Sequence, residues 1–319
     1  MNEVIHHIEQ SILPPVEPDS ELRSLLSLLD DPDPRIADAV TQRIRMRGED
    51  ALLPLMTFLE SASDPLARKR AEELSAQFNL EQLRAGFENL ALRFKRSGLN
   101  ARADAQAFED GLFLIARYGN PRLNVAQCRQ MLDEFASSLD ARLVGLSSAL
   151  EVLDEINYFF FEELHFRGNQ ASFLEPENSY VDAVLERRMG IPISLASVYL
   201  LVVQCRLHLP FSGASAPGHF LVRYDGLRTE PLFIDAFNGG TILRARDIKR
   251  FLDSSGLPFH NQFLAPSHPR GIVLRTIRNL ILVFNERGNI PARKAFEEFM
   301  RILAPDAAEG QAFLRGLEG

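Results

Sequence analysis

The segment that most constrains the fold is a helix-length stretch that is apolar on nearly every side. Its apolar residues are Leu195, Val198, Tyr199, Leu200, Leu201, Val202 and Val203. The stretch follows Ile191-Pro192 and extends to about Arg206, and proline is well tolerated in the first turn of a helix. Gly190, just ahead of it, suits the left-handed residue that ends a preceding helix. Because a helix without a polar face has to be covered all round, the sequence predicts a central, enclosed helix.

The first hundred residues have the spacing of paired amphipathic helices. Glu21–Leu29 places its leucines three and four residues apart, as one helical face requires. Asp33-Pro34 and Asp64-Pro65 each supply a helix N-cap followed by a proline at the first helical position. This arrangement resembles a short HEAT-type repeat array, and a small helical bundle fits the same residues. We expect an all-helical, HEAT-like module over residues 1–104.

Residues 105–165 continue the helical pattern, and strands are expected only after residue 210. One helical face steps through Leu146, Leu150, Leu153, Ile156, Phe160 and Leu164. Phe220–Tyr224 and Leu232–Phe237 are short, rich in β-formers and followed by turn residues, which predicts adjacent antiparallel strands.

The carboxyl-terminal part predicts a helical hairpin. Phe284, Gly288 and Pro305 have the relative spacings of a tetratricopeptide hairpin. The whole chain is therefore predicted to be an α+β protein that is mostly helical, with a small antiparallel sheet. We divide it into the helical module over 1–104, a core over 105–265 and a tetratricopeptide-like hairpin over 266–319.

Composition and motif content argue against several function classes. The net charge is −8, whereas a nucleic-acid binder usually carries a basic face. Two cysteines cannot build a disulfide framework, so a reducing, cytoplasmic location is expected. No secretory signal and no membrane-length apolar run is visible, so we expect no membrane partner. The seven histidines lack metal-ligand spacing and there is no phosphate-binding loop, so we expect neither a metal nor another cofactor.

Three residues around the central helix form a candidate catalytic site. Ser194 falls in the first turn of the helix, where unpaired N–H groups and the helix dipole stabilise an oxyanion. His219 opens one predicted strand, and Asp235 lies in the next. A nucleophile at a helix start, with histidine and aspartate on neighbouring strands, is the layout of papain-like and transglutaminase-like catalysis. Cys128 and Cys205 are expected to be core cysteines.

Several sequence blocks occur in a fixed order over roughly residues 105–260. They are Phe108-Glu109-Asp110-Gly111, Phe166-Arg167-Gly168-Asn169, Asn178-Ser179-Tyr180, the run from Glu186 to Leu195, the run from Pro217 to Arg223, and the run from Ile234 to Gly240. Together they resemble the SirB-type transglutaminase-like family of bacteria. The resemblance implies a transglutaminase-like, papain-like core fold.

The resemblance also implies which residues correspond to the superfamily trio of cysteine, histidine and aspartate. His219 and Asp235 match the histidine and the aspartate. The cysteine position falls at or within one residue of Ser194, and no cysteine lies in that helix turn. From the same blocks we take Asn178, Arg188 and Gly218 as candidate substrate-binding residues. Asn178 or Ser179 is also expected to cap the short helix that follows.

Two functions from different classes remain open. A thiolate is intrinsically nucleophilic, whereas a serine hydroxyl needs a well-aligned base. We therefore favour a non-catalytic or repurposed scaffold that binds a protein or peptide, in which Ser194 caps the helix and His219 pairs with Asp235. The alternative is a hydrolase or acyl-transferase in which Ser194 attacks, His219 is the base and Asp235 orients the imidazole. The sequence leaves the oligomeric state open.

Overall fold

The computed structural model describes residues 17–96, 101–227 and 230–305. The first part of the predicted helical module, 1–16, and the last part of the predicted hairpin, 306–319, lie outside the described residues. The amino-terminal part contains helices α1 (Ser20–Ser27), α2 (Pro34–Arg45), α3 (Leu52–Ser61) and α4 (Pro65–Lys95). Both predicted Asp-Pro caps are confirmed, because Asp33 and Asp64 each accept hydrogen bonds from backbone N–H groups of the helix that follows.

The buried apolar side chains form two large cores that α4 connects. The smaller core extends from Leu22 to Phe78, and the larger extends from Leu83 to Leu303. The first half of α4 packs in the smaller core and its second half packs in the larger one. The predicted domain limits at 104 and 265 stay predictions, and so does the HEAT-like character of the first module.

The middle of the chain is helical, as expected, but one predicted apolar face is only half buried. The elements are α5 (Ala101–Gly119), α6 (Val125–Leu143), α7 (Ala149–Asn157), a π-helical turn (Tyr158–Glu163) and α8 (Val181–Arg187). Leu153, Ile156 and Phe160 are buried, whereas Leu146 and Leu150 are exposed. The prediction was wrong for Leu146 because Ser148 caps α7 and leaves Leu146 in the preceding loop.

Two short strands, β1 (Arg167–Gly168) and β2 (Met189–Gly190), pair in parallel. The main sheet contains β3 (Phe211–Ala216), β4 (His219–Tyr224), β5 (Leu232–Asp235), β6 (Thr241–Leu243) and β7 (Pro266–Ser267), in the order β6-β5-β4-β3-β7. Its neighbouring strands are antiparallel, so the predicted pairing of β4 with β5 is confirmed. β5 ends at Asp235 instead of Phe237 because the chain turns there into a short 3-10 helix (Ala236–Asn238).

The predicted central helix is α9 (Pro192–Val203), and all of its residues are buried. It packs against β3 and β4 on one side and against α6 and α8 elsewhere. Helix α10 (Ala245–Ser254) packs with the other face of the sheet. Helices α11 (Pro269–Glu286) and α12 (Ile290–Leu303) form the expected carboxyl-terminal hairpin, whose tetratricopeptide character stays a prediction.

The structure confirms a mostly helical α+β fold with a small antiparallel sheet. Among helices in the described ranges, none combines the length and the apolar character that a membrane span needs. In this fold α9 covers one face of the main sheet and α10 covers the other, and the candidate site lies on the α10 face.

Candidate functional site

His219 and Asp235 project from neighbouring strands toward the same face of the sheet. Leu221, two residues after His219 in β4, packs with apolar side chains of α10. Side chains alternate between faces along a strand, so His219 shares the α10 face with Leu221. Phe233, two residues before Asp235 in β5, belongs to the same cluster. Asp235 therefore faces α10 as well.

The His219 and Asp235 side chains form a close, largely buried pair. Nε2 of His219 lies 2.8 Å from Oδ2 of Asp235, and the two side chains are 16% and 9% exposed. The carboxylate also accepts hydrogen bonds from the backbone N–H groups of Phe237 and Asn238 and from the Asn238 amide. Burial alone raises the pKa of Asp235, but the hydrogen bonds from His219 and Asn238 outweigh it and leave the pKa below its ordinary value.

A two-residue turn, Pro217-Gly218, joins β3 to His219 at the start of β4. Gly218 has a φ of +69°, and proline followed by a left-handed glycine is typical of a type II turn. Arg275 of α11 stabilises this turn, because its guanidinium donates to the backbone oxygens on either side of the turn, those of Ala216 at 2.8 Å and His219 at 3.0 Å. Burial, together with the charge of Arg278, lowers the pKa of Arg275 to about 10.

We expect Gly218→Ala to lower the free energy of unfolding by about 1–2 kcal/mol, because an L-residue is strained at this φ. The matched control is Gly271→Ala in the first turn of α11. At both glycines an added Cβ meets no atom within 4 Å, but only Gly218 has a positive φ. The control should be neutral or slightly stabilising. Equal losses for the two variants in chemical unfolding would contradict the strain argument.

A cavity of about 330 Å³ lies beside the His219–Asp235 pair, between the sheet and α10. Its wall is mainly apolar, with Ala216, His219, Leu221, Asp235, Phe237, Asn238, Leu243, Asp247, Ile248 and Phe251 as the lining residues. These described residues include no serine, threonine or cysteine. The cavity therefore offers a histidine and carboxylates, but no side-chain nucleophile of the hydroxyl or thiol type.

Ser194 is committed to backbone hydrogen bonds at the start of α9. Its hydroxyl donates to the carbonyl oxygen of Asn178 at 2.5 Å and accepts from the backbone N–H of Ile191 at 3.0 Å. The residue is 4% exposed. A side chain in the first helical turn that bonds back to the N–H just ahead of the helix is a capping interaction.

The structure does not direct Ser194 toward His219. Helix α9 packs with Phe220 and Val222, two of the three β4 side chains that face away from His219. Ser194 therefore belongs to the helix that covers the opposite sheet face, and it is absent from the lining of the cavity. Of the predicted trio, the structure brings together His219 and Asp235.

Of the three candidate substrate-binding residues, Asn178 is enclosed, Arg188 is half-buried and Gly218 is exposed. Asn178 is 0% exposed, and its amide donates to the Ser172 carbonyl oxygen at 2.7 Å. It therefore organises the loop before α8 and does not cap that helix, and neither does Ser179, since the N-cap is Tyr180 without a side-chain cap. The Arg188 guanidinium lies over the rings of Phe135 and Phe166. Gly218 is exposed at the cavity end of β4.

Arg188, and not Gly190, is the left-handed residue that ends α8, with a φ of +56°. The prediction for Gly190 was wrong because this glycine serves a different need. Gly190 lies in β2, where a Cβ would stand 2.5 Å from Oγ of Ser194. Position 190 has no room for a side chain beside Ser194, so glycine is required there. A sequence pattern that indicates a helix end does not reveal this contact.

The two cysteines are packed side chains. Burial raises the pKa of Cys128 and of Cys205 to about 12, so both thiols are protonated near neutral pH. Within residues 17–96, 101–227 and 230–305, no three histidine, cysteine or acidic side chains gather as they would around a metal ion.

Sequence reasoning missed the residues that complete the cavity. Phe237 and Asn238 lie inside a block that resembled the family, but their roles depend on the turn after β5. Asp247 and Phe251 lie four residues apart in α10, beside the buried Ile248 and Leu252. That four-residue spacing on a helix with two buried neighbours is the signal that could have indicated them.

Comparison with known proteins shows a family resemblance in the part of the chain that carries this site. Residues 126–278 match the sequence model of the transglutaminase-like superfamily. This stretch, which is just under half of the chain, is therefore similar to the transglutaminase-like superfamily. The match begins in α6 and ends within α11, so it includes α9, the main sheet and the His219–Asp235 pair. The predicted resemblance is thereby confirmed.

The known proteins with a similar sequence match this chain over part of their own length. A UPF0162 protein of Xylella fastidiosa is 34% identical over 183 residues, which cover 54% of this chain and 62% of that protein. Protein SirB1 of Salmonella typhimurium is 27% identical over 111 residues, 35% of this chain and 41% of SirB1. F-box only protein 21 of Mus musculus is 32% identical over 120 residues, 35% of this chain and 19% of that protein.

The chain thus spans about three fifths of the length of the Xylella relative that it matches. No solved structure matches the chain significantly.

Proposed function

We propose that this transglutaminase-like protein is a non-catalytic or repurposed scaffold that binds a segment of a protein or peptide. The observation that carries the proposal is the bonding of Ser194, whose hydroxyl is buried and is hydrogen bonded to the Asn178 carbonyl oxygen and the Ile191 N–H. To act as a nucleophile with His219 as its base, Ser194 would have to give up its donation to the Asn178 carbonyl oxygen and turn its hydroxyl toward His219.

The cavity beside His219 supports a binding role for the same region. It has a mainly apolar wall, and Phe251 at its edge is 52% exposed. Phe173, which is 48% exposed, contacts the Phe237 ring edge-on with centroids 6.2 Å apart. Pockets with an apolar wall and a few convergent polar groups are typical ligand sites. A side chain of a bound segment can enter between these rings.

The alternative, a hydrolase or acyl-transferase with a Ser194–His219–Asp235 triad, predicts different behaviour in the same variants. Peptides selected from a random display library on the full chain serve as binding probes, and hydrolysis of activated esters serves as the activity probe. For the scaffold, we expect Ser194→Ala to bind the selected peptides like the parent protein. We expect Phe251→Ala to weaken binding at least tenfold.

Leu150→Ala is the matched control for Phe251→Ala, because Leu150 is 54% exposed and lies on α7, away from the cavity. It should bind like the parent protein. Ester hydrolysis above background that disappears in Ser194→Ala would overturn the scaffold proposal in favour of the triad. Selected peptides whose binding ignores Phe251→Ala would overturn the cavity as the docking site.

A further inference from the structure

The polar side chains that line the His219 cavity are suited to accept hydrogen bonds. Nε2 of His219 lies 2.8 Å from the Asp235 carboxylate, so a neutral imidazole here has its proton on Nε2 and Nδ1 as an acceptor. Asn238 uses its amide N–H₂ on Asp235 at 2.8 Å, and its remaining polar side-chain atom is a carbonyl oxygen. Asp247 adds a second carboxylate.

The charge of this lining is negative. Two carboxylates, Asp235 and Asp247, line the cavity, and neither lysine nor arginine is among the lining residues that the structure describes. Arg246 and Arg250 approach Oδ1 of Asp247 at 3.9 and 3.6 Å, but their side chains are 71% and 77% exposed. Such solvated contacts neutralise a carboxylate weakly, so the cavity favours a cation that donates hydrogen bonds.

Aromatic rings form part of the wall around these acceptors. The Phe237 ring stands nearly perpendicular to the His219 ring, with centroids 6.4 Å apart. The Phe251 ring is tilted by 50° to the same imidazole, also at 6.4 Å. The faces of aromatic rings attract cations, and guanidinium groups stack on them readily.

We propose that this cavity recognises a guanidinium group, supplied by an arginine side chain of the bound segment. The inference rests on the proposed binding function and names the chemistry that the site selects. The aliphatic part of the arginine side chain packs along Leu221, Leu243 and Ile248. The planar head lies against the Phe237 and Phe251 rings and donates to Asp247 and the Asn238 carbonyl.

The same lining explains why a guanidinium fits better than an ammonium. A guanidinium has five N–H donors in one plane, whereas an ammonium is a compact and strongly hydrated charge. The acceptors on β4, on the turn after β5 and on α10 surround the cavity from different sides, so one flat group can reach several of them. An ammonium gains less from the flat aromatic walls.

The test compares acetylated, amidated pentapeptides that have alanine at every position except the centre. The central residue is arginine, lysine or citrulline, which has the shape of arginine without its charge. Binding to the full chain is followed by the NMR shifts of the Phe237 and Phe251 amides. We expect the arginine peptide to bind at least tenfold more tightly than the citrulline peptide and at least threefold more tightly than the lysine peptide.

Two variants link this preference to the proposed contacts. Asp247→Asn keeps an oxygen that can accept from the Arg244 N–H, as Asp247 does at 2.9 Å, so the start of α10 is retained. We expect it to weaken binding of the arginine peptide at least fivefold. Asp253→Asn removes an exposed carboxylate from the same helix, outside the cavity, and should leave binding unchanged. Phe251→Leu should weaken binding without affecting folding, since that side chain is half exposed.

The outcomes separate this inference from the binding function. If arginine and citrulline peptides bind equally well and Phe251→Leu weakens both, the guanidinium inference is wrong and the binding function stands. A lysine peptide that matches the arginine peptide overturns the guanidinium preference in the same way. If agmatine, a free guanidinium compound, binds through Asp247 while no arginine peptide does, the guanidinium site stands and the peptide-binding function fails. Loss of binding in Asp253→Asn equal to that in Asp247→Asn overturns the assigned contact.

Discussion

Gly190→Ala is expected to lower the free energy of unfolding by about 2–3 kcal/mol, as overpacking of a tight site does. An added Cβ would stand 2.5 Å from Oγ of Ser194, 3.1 Å from Cγ2 of Val184 and 3.3 Å from the Asn178 carbonyl oxygen. The Ser194 hydroxyl cannot move aside cheaply, because a new rotamer would break its bonds to the Asn178 carbonyl and the Ile191 N–H.

Ser194→Ala provides the second arm of a double-mutant cycle. Alone, it should lower the free energy of unfolding by about 1–2 kcal/mol, because the buried Asn178 carbonyl oxygen and the buried Ile191 N–H lose their hydrogen-bond partner. In combination with Gly190→Ala it removes the atom that the new Cβ would strike. We therefore expect the double variant to be more stable than the sum of the single losses by about 1 kcal/mol.

Far-UV circular dichroism during urea unfolding measures these losses, since the chain has no tryptophan to serve as a fluorescent probe. Gly271→Ala, where a Cβ meets open space, is the control for replacing glycine as such. Strict additivity of the two single variants would contradict the direct contact between residue 190 and Ser194. It would also show that lack of space beside Ser194 is not the reason for glycine at position 190.

Patterns that lie within one element could be predicted from the sequence. The all-round apolar character of residues 192–203 indicated a buried central helix, and α9 is buried at every position. The Asp-Pro caps and the β4–β5 pair likewise follow from neighbouring residues. The shared sheet face of His219 and Asp235 could be predicted for the same reason. Each lies two residues from an apolar strand residue, Leu221 or Phe233, whose side chain points to the same face of the sheet.

What the sequence could not provide depends on contacts between distant residues. The direction of the Ser194 hydroxyl is decided by a carbonyl oxygen 16 residues earlier, at Asn178. Strand β3 is rich in small residues with a weak β preference, and pairing with β4 stabilises it as a strand. Arg188 takes the left-handed conformation expected of Gly190, and Gly190 is instead needed for space beside Ser194. In each case tertiary packing decides over a local preference.

Asp235→Ala is expected to lower the free energy of unfolding by about 3 kcal/mol at pH 7, the scale seen when one partner of a buried pair is removed. The carboxylate accepts from the Phe237 and Asn238 N–H groups and from the Asn238 amide, and it lies 2.8 Å from Nε2 of His219. Alanine leaves these donors without their acceptor at the turn that ends β5. Asp235→Asn retains an acceptor for the backbone N–H groups and should cost about half as much.

The pH dependence of this loss follows from the lowered pKa of Asp235. A group whose pKa is lower in the folded state stabilises the fold above its unfolded pKa of about 4, and this contribution is lost as the pH falls through the folded value. The difference in free energy of unfolding between the parent protein and Asp235→Asn should therefore be constant from pH 7 to about pH 5 and shrink below pH 4. Urea unfolding at a series of pH values measures it. A difference that stays constant or grows toward pH 3 would show that the folded pKa of Asp235 is not lowered and that the His219 pair does not stabilise the ionised carboxylate.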